Sequence, residues 1–233
     1  MANFVLIHGA WHGGWCYSRV AKILRAAGHD VFTPTLSGLG ERSHLLRADI
    51  NLDTHIADVL NVIKWENLSN VVLCGHSYGG IVATGVADAI PDKLAAVVYL
   101  DAYVPEDGDS VMTFMSKERQ ATMLRDAEAS GGIAVPPPDV SMYGVNHEDK
   151  DWVQEKVTPH PLATFQQAIR LTDRHRGLKR TYVYAKGEVT SAPYYEKCLR
   201  DPAWTVLVTE QGGHDQMIDD PVTVAEILMN STT

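Results

Sequence analysis

The sequence predicts an α/β protein: a mostly parallel, doubly wound sheet of about six strands with an inserted, mainly helical cap. Three observations predict it. Short β-branched runs recur along the chain, stretches of helical period separate them, and the alternation lapses once, for about eighty residues after Asp101. Continuously apolar strands joined by helices need cover on both faces of the sheet, which is the doubly wound arrangement.

The strand candidates, in order, are "FVLIH", "DVFTP", "NVVLCG", "LAAVVYLD", "TYVYA" and "WTVLVTE". Between the second and third, Ile56, Val59, Leu60 and Ile63 fall at i, i+3, i+4 and i+7, a helix face turned inward, with Asp53 or Thr54 placed to cap it. The interruption, roughly residues 105 to 180, reads as the cap. Within it "SVMTFMSKERQATMLRDAEA" and "HPLATFQQAIRLTD" have helical character, while the three prolines of "GGIAVPPPD" forbid a helix and predict an extended crossing. Met112, Met115, Met123 and Phe165 of this segment either line a substrate cavity or pack the cap onto the sheet; Trp11 joins Met112, Met115 and Phe165 as an expected substrate contact.

A chain of 233 residues with 45% apolar and 21% charged residues suits one soluble domain, 1–233, with a sizeable core. The net charge of -9 disfavours nucleic acid, whose binding needs a basic surface. The amino-terminal run is too short for a signal segment or membrane span, so a cytoplasmic protein is expected. Cys16, Cys74 and Cys198 are odd in number and lack metal-ligand spacing, which predicts buried thiols and neither a disulfide framework nor a metal site. Nothing in the chain calls for a cofactor; oligomeric state is open, with a homodimer one option.

Gly75-His76-Ser77-Tyr78-Gly79 matches G-x-S-x-G, with an apolar strand before it and a small-residue helix pattern after it, the setting of a nucleophile elbow. Glycines at 75 and 79 allow backbone to approach where a side chain would clash. Ser77 is therefore the candidate nucleophile. A serine hydroxyl needs a base, itself oriented by an acid, and the chain order expected here is Ser, acid, His. His214 follows the last strand in "TEQGGHDQMIDDP" and is the candidate base. His8 and His76 are expected to make structural hydrogen bonds, His55 and His175 to lie on surface helices, and His160 is undecided. Glu188, after "TYVYA", is the favoured acid; Asp101, one strand end earlier, is the alternative, and Asp215 is too close to His214 in sequence to bond its ring. The amides of Tyr78 and Ala10 occupy the two positions that would form an oxyanion hole, Gly9 giving the second loop freedom to turn.

"FVLIHGAWHGGWCY", "AAGHDVFTPTLSGLG", "VVLCGHSYGG", "VVYLDAYVPEDG" and "GGHDQM" resemble the α/β-hydrolase branch of plant methylesterases, hydroxynitrile lyases and their bacterial esterase relatives, over nearly the full chain. The resemblance implies an α/β-hydrolase fold and, by motif, the same Ser77, His214, Ala10 and Tyr78. It aligns Glu188 with a position where the family usually has aspartate. Lyase members carry a threonine where this chain has Gly9 and a lysine where it has Asp215; an anionic Asp215 would repel cyanide, which favours hydrolysis. The activity implied is a serine esterase acting on small carboxylic esters or aryl carbamate methyl esters, the alternatives being a lyase on the same scaffold and a non-enzymatic small-ligand receptor.

Overall fold

The computed structural model describes residues 1–232. Eight strands, β1 (Asn3–Ile7), β2 (Asp30–Phe32), β3 (Val71–His76), β4 (Leu94–Leu100), β5 (Ala134–Val135), β6 (His160–Pro161), β7 (Lys179–Ala185) and β8 (Trp204–Thr209), alternate with helices α1 (Ser18–Ala26), α2 (Leu52–Trp65), α3 (Gly79–Ala89), α4 (Lys117–Ala129), α5 (Lys150–Lys156), α6 (Leu162–Gln166), α7 (Ala192–Leu199), α8 (Gln216–Asp219) and α9 (Pro221–Asn230). The six expected strands form one sheet in the order β2-β1-β3-β4-β7-β8, with every neighbouring pair parallel.

Successive strand residues face opposite sides, and both sides are covered. Val5, Ile7, Val71 and Leu73 enter a cluster with Val59, Ile63 and Ile81 of α2 and α3; Phe4, Leu6, Val72 and Cys74 enter another with Val20, Leu24, Val224 and Leu228 of α1 and α9. Burying aliphatic side chains of this size contributes roughly 1.5–3 kcal/mol each, which is why strands apolar on both faces end up in the centre. Helix α2 carries the inward face read from its period, but its cap is neither Asp53 nor Thr54. Asn51 accepts from the Thr54 amide at 3.1 Å and Thr54 reciprocates, a capping box that starts the helix one residue after Asn51.

Between β4 and β7 the chain is less helical than expected. The first candidate breaks in two, a short 3-10 turn capped by Ser110 and then α4 capped by Ser116. The second yields only the five residues of α6, because amides beyond it bond elsewhere: Ile169 to the Asp109 carbonyl, Leu171 to Asp107 and Thr172 to Asp88. "GGIAVPPPD" forms no helix: its two glycines turn with positive φ, and the strand that follows them, β5, pairs antiparallel with β6. Among the described residues no helix is long and apolar enough to cross a membrane.

Candidate active site

Three non-glycine residues at the carboxyl ends of adjacent strands adopt left-handed backbone: Trp11 after β1 (φ 64), Ser77 after β3 (φ 51) and Asp101 after β4 (φ 47). Such conformations cost on the order of 1–3 kcal/mol each and persist only where surrounding bonds fix them. At Ser77 those bonds are explicit. Its amide donates to the Leu100 carbonyl at 3.2 Å, and its own carbonyl accepts from Gly80 and Tyr103 at 3.0 and 3.1 Å. A Cβ on Gly75 would run into the Gly79 carbonyl, so only glycine lets the strand and the helix start converge. A Cβ on Gly9 would lie 2.8 Å from His76 Nδ1, which brings the loop after β1 equally close.

His214 sits in the loop between β8 and α8, and its Nδ1 donates to Asp101 Oδ2 at 2.6 Å. Among the described residues Asp101, the alternative candidate, is the only carboxylate bonded to this ring, and Glu188 is not. The reason lies in what β7 supplies. Its last amide, Ala185, donates to Asp101 Oδ1 at 3.1 Å, and Ser191 Oγ beyond it donates to the same oxygen at 2.6 Å. The end of β7 thus provides donors that hold a buried carboxylate on β4. Glu188 is half-buried in the wall of the cavity, its backbone carbonyl held by the Tyr184 hydroxyl at 2.8 Å. Its carboxyl, Asp101 and His214 place one polar atom each within 4.8 Å of one another.

Burial opposes protonation of His214, but the bond and charge of Asp101 outweigh it and raise the imidazole above its usual value, with Asp215 and Glu188 adding to the rise. Burial raises the Glu188 carboxyl as well.

Ser77, His214, Ala10 and Tyr78 share the lining of one cavity of about 310 Å³. Trp11, Met115, Met123 and Phe165 line it as well, with Arg119 and Asp126 among its polar members. Met112, expected beside them, instead packs against the core, its carbonyl accepting from Gln120. Two histidines expected on the surface are buried. His55 links the Tyr78 hydroxyl at 2.8 Å to the Ser37 carbonyl at 2.9 Å, and His175 bonds Asp88 at 3.0 Å. His160 is fully buried behind the cavity wall, accepting from the Trp11 amide at 3.2 Å and stacking on Phe165. His8 and His76 make the structural bonds expected of them: Leu36 donates to His8 at 3.0 Å, and His76 Nε2 donates to the His214 carbonyl at 2.9 Å. Burial drives His8 down to about 3, which keeps it neutral.

Asp215 departs from expectation. It is fully buried and bonded to His12 at 2.9 Å, away from the cavity lining, so it does not face a leaving group, and its charge acts on the site through the rise it contributes to His214. No local pattern in the sequence announces this pair, whose members lie 203 positions apart.

Residues 4–227 match the alpha/beta hydrolase family. The chain belongs to that family. This hydrolase is 45% identical to a carbendazim hydrolyzing esterase of Nocardioides sp. (strain SG-4G), over 98% of each chain. It is 26% identical to methylesterase 7 of Arabidopsis thaliana, over 97% of this chain and 95% of that one. Among solved structures, an extracellular alpha/beta-hydrolase from a Paenibacillus species superposes with a TM-score of 0.84 at 23% identity, covering 99% of both chains. A pyrethroid hydrolase from Sphingobium faniae JZ-2 gives 0.81 at 20% identity, covering 99% of this chain and 97% of that one. The hydrolase fold is common to both.

Proposed function

We propose that this hydrolase is a serine esterase in which Ser77 is the nucleophile, His214 the base, Asp101 the orienting acid, and the amides of Ala10 and Tyr78 the oxyanion donors. The observation that carries this reading is the Asp101–His214 bond, made beside the cavity into which the strained elbow projects Ser77. Ser77 Oγ attacks the ester carbonyl as His214 Nε2 takes its proton; Asp101 stabilises the imidazolium; collapse of the tetrahedral intermediate expels the alcohol, which receives that proton. Water, activated by the same histidine, then releases the acid. No cofactor takes part in these steps.

The substrate class we favour is the methyl ester of a small aryl carbamate. It is supported by the 45% identity to the carbendazim esterase and by a cavity walled by Trp11, Met115, Met123 and Phe165, apolar enough for a flat aromatic. Hydrolysis would release methanol and a carbamic acid, which loses carbon dioxide to leave the amine. We treat residues 105 to 180 as the cap of a single domain, and three free, buried cysteines support a reducing, cytoplasmic setting. The test is a screen of methyl esters, aryl carbamates and cyanohydrins, with Ser77→Ala as blank. Methanol release from carbamates above the blank is expected; cyanide release alone, or binding without turnover, would overturn the reading.

The pH dependence follows from His214. It must be neutral to accept the Ser77 proton, and its folded value lies above the ordinary histidine value of about 6.5. Activity is therefore low on the acid side, and kcat/KM is expected to rise with pH through an apparent value above that figure. A profile flat from roughly pH 5 to 8, with chemistry shown to be rate-limiting, would remove His214 from the role of base.

A further inference from the structure

The buried pair His12–Asp215 lies outside the three residues of the proposed triad, yet it touches both loops that flank the cavity. His12 is 1% exposed and Asp215 is 0% exposed. The His12 ring has an oxygen at each nitrogen, the Ala10 carbonyl 2.7 Å from Nδ1 and Asp215 Oδ2 2.9 Å from Nε2, and both can only accept while Asp215 is a carboxylate. A neutral imidazole carries one N–H, so it would set a lone pair against a lone pair at one of these contacts. The imidazolium satisfies both. A second observation agrees: the ring stacks on the Trp15 indole, with centroids 5.2 Å apart and planes 21° from parallel, an arrangement that suits a cation on a π face. Tyr143 meets it edge-on at 5.0 Å, and His76 lies 6.4 Å away.

We propose that His12 is a doubly protonated positioning residue whose imidazolium ties the loop of Ala10 to the loop of His214 through Asp215. The inference rests on the reading that Ala10 and His214 take part in catalysis. The bond to the Ala10 carbonyl fixes the peptide plane leading into left-handed Trp11, and so limits the turn that follows the Ala10 amide, whose own peptide plane is held by His8 at the Gly9 carbonyl, 2.8 Å away. At the other end Asp215 is the neighbour of His214, whose own carbonyl is held by His76. The groups facing the imidazolium are Asp215, His76, Tyr143 and Trp15, with His214 beyond His76 at 4.6 Å between ring centroids. Burial works against the charge on His12, and Asp215 overcomes it; in return His12 holds the Asp215 carboxyl below its usual range in spite of burial. The pair is neutral as a whole, so it links two loops without adding net charge beneath the site.

Nitrogen-15 spectra of the histidine rings in the full-length wild-type protein read the protonation state without any turnover. They therefore remain decisive even if Ser77→Ala shows the esterase reading to be wrong. His12 is expected to carry protons on both nitrogens at about pH 7.5, roughly a unit above the ordinary histidine value, where an unperturbed ring is mostly neutral; a singly protonated ring there overturns the proposal. Kinetically, His12→Asn should lower kcat by about 10²-fold with KM little changed, because small displacements of oxyanion donor and base act on the transition state. His12→Asn/Asp215→Asn should recover part of kcat, since the unpaired buried carboxylate is gone. A kcat equal to wild type in His12→Asn, or a loss carried wholly by KM, counts against the proposal. Should the single variant fail to fold, the wild-type spectra decide.

Discussion

Replacing Ser77 by alanine should lower kcat by about 10⁴-fold or more while leaving the fold intact. The change removes one hydroxyl. The left-handed backbone at φ 51 is as costly for alanine as for serine, so the strain is the same in both proteins. The bonds that hold the turn, from Ser77 to Leu100 and to it from Gly80 and Tyr103, are all main chain and survive the substitution. Stability should therefore change little, and circular dichroism with thermal melting checks it. What is lost is the proposed nucleophile of the acyl-enzyme, and members of a triad act as a unit. A variant that keeps more than about a tenth of wild-type kcat on a methyl ester would show that Ser77 is not the nucleophile.

The parts of this molecule legible in its sequence are those set by local pattern. Runs such as "VVLCG" are apolar on both faces and could only be central strands, and the small residues after Ser77 could only mark a helix packed tightly against them. The rest depends on which distant groups meet. His55 lies in a helix whose pattern puts it at the margin of the apolar face, yet it is buried because the Tyr78 hydroxyl and the Ser37 carbonyl both need partners there. Residues 167–173 have helical composition, but Ile169, Leu171 and Thr172 surrender their amides to Asp109, Asp107 and Asp88. The choice of acid is of the same kind. β4 and β7 are neighbours in the sheet, so a carboxylate after either could reach His214. What brings the Asp101 carboxylate to the ring is its left-handed turn and the donors of Ala185 and Ser191, none of which leaves a mark on the local sequence.

Those donors also determine what an amide at position 101 would do. Asp101 Oδ1 accepts from the Ala185 amide, which can only donate, and from Ser191 Oγ, which can rotate; Oδ2 accepts from His214 Nδ1. An asparagine has one oxygen and one NH₂ for these two places. With its oxygen toward Ala185, the NH₂ faces His214 and forces the ring to accept at Nδ1, moving the proton to Nε2, where it blocks the attack on the Ser77 proton. With its oxygen toward His214, the NH₂ meets the Ala185 N–H head on in a fully buried position, at a cost of about 1–3 kcal/mol. The first orientation is the better satisfied, so Asp101→Asn should lower kcat by up to about 10⁴-fold through the wrong tautomer and the loss of imidazolium stabilisation. Glu188→Gln makes the contrast. It breaks no bond to the ring, so kcat should change only slightly. It does remove a negative charge that helps to raise His214, so the acid limb of kcat/KM should move to lower pH. Both variants are to be compared on one ester, with circular dichroism to establish that each is folded. If Glu188→Gln is the crippled enzyme and Asp101→Asn nearly normal, the working acid sits on β7, and the Asp101–His214 bond is not the arrangement in which the reaction runs.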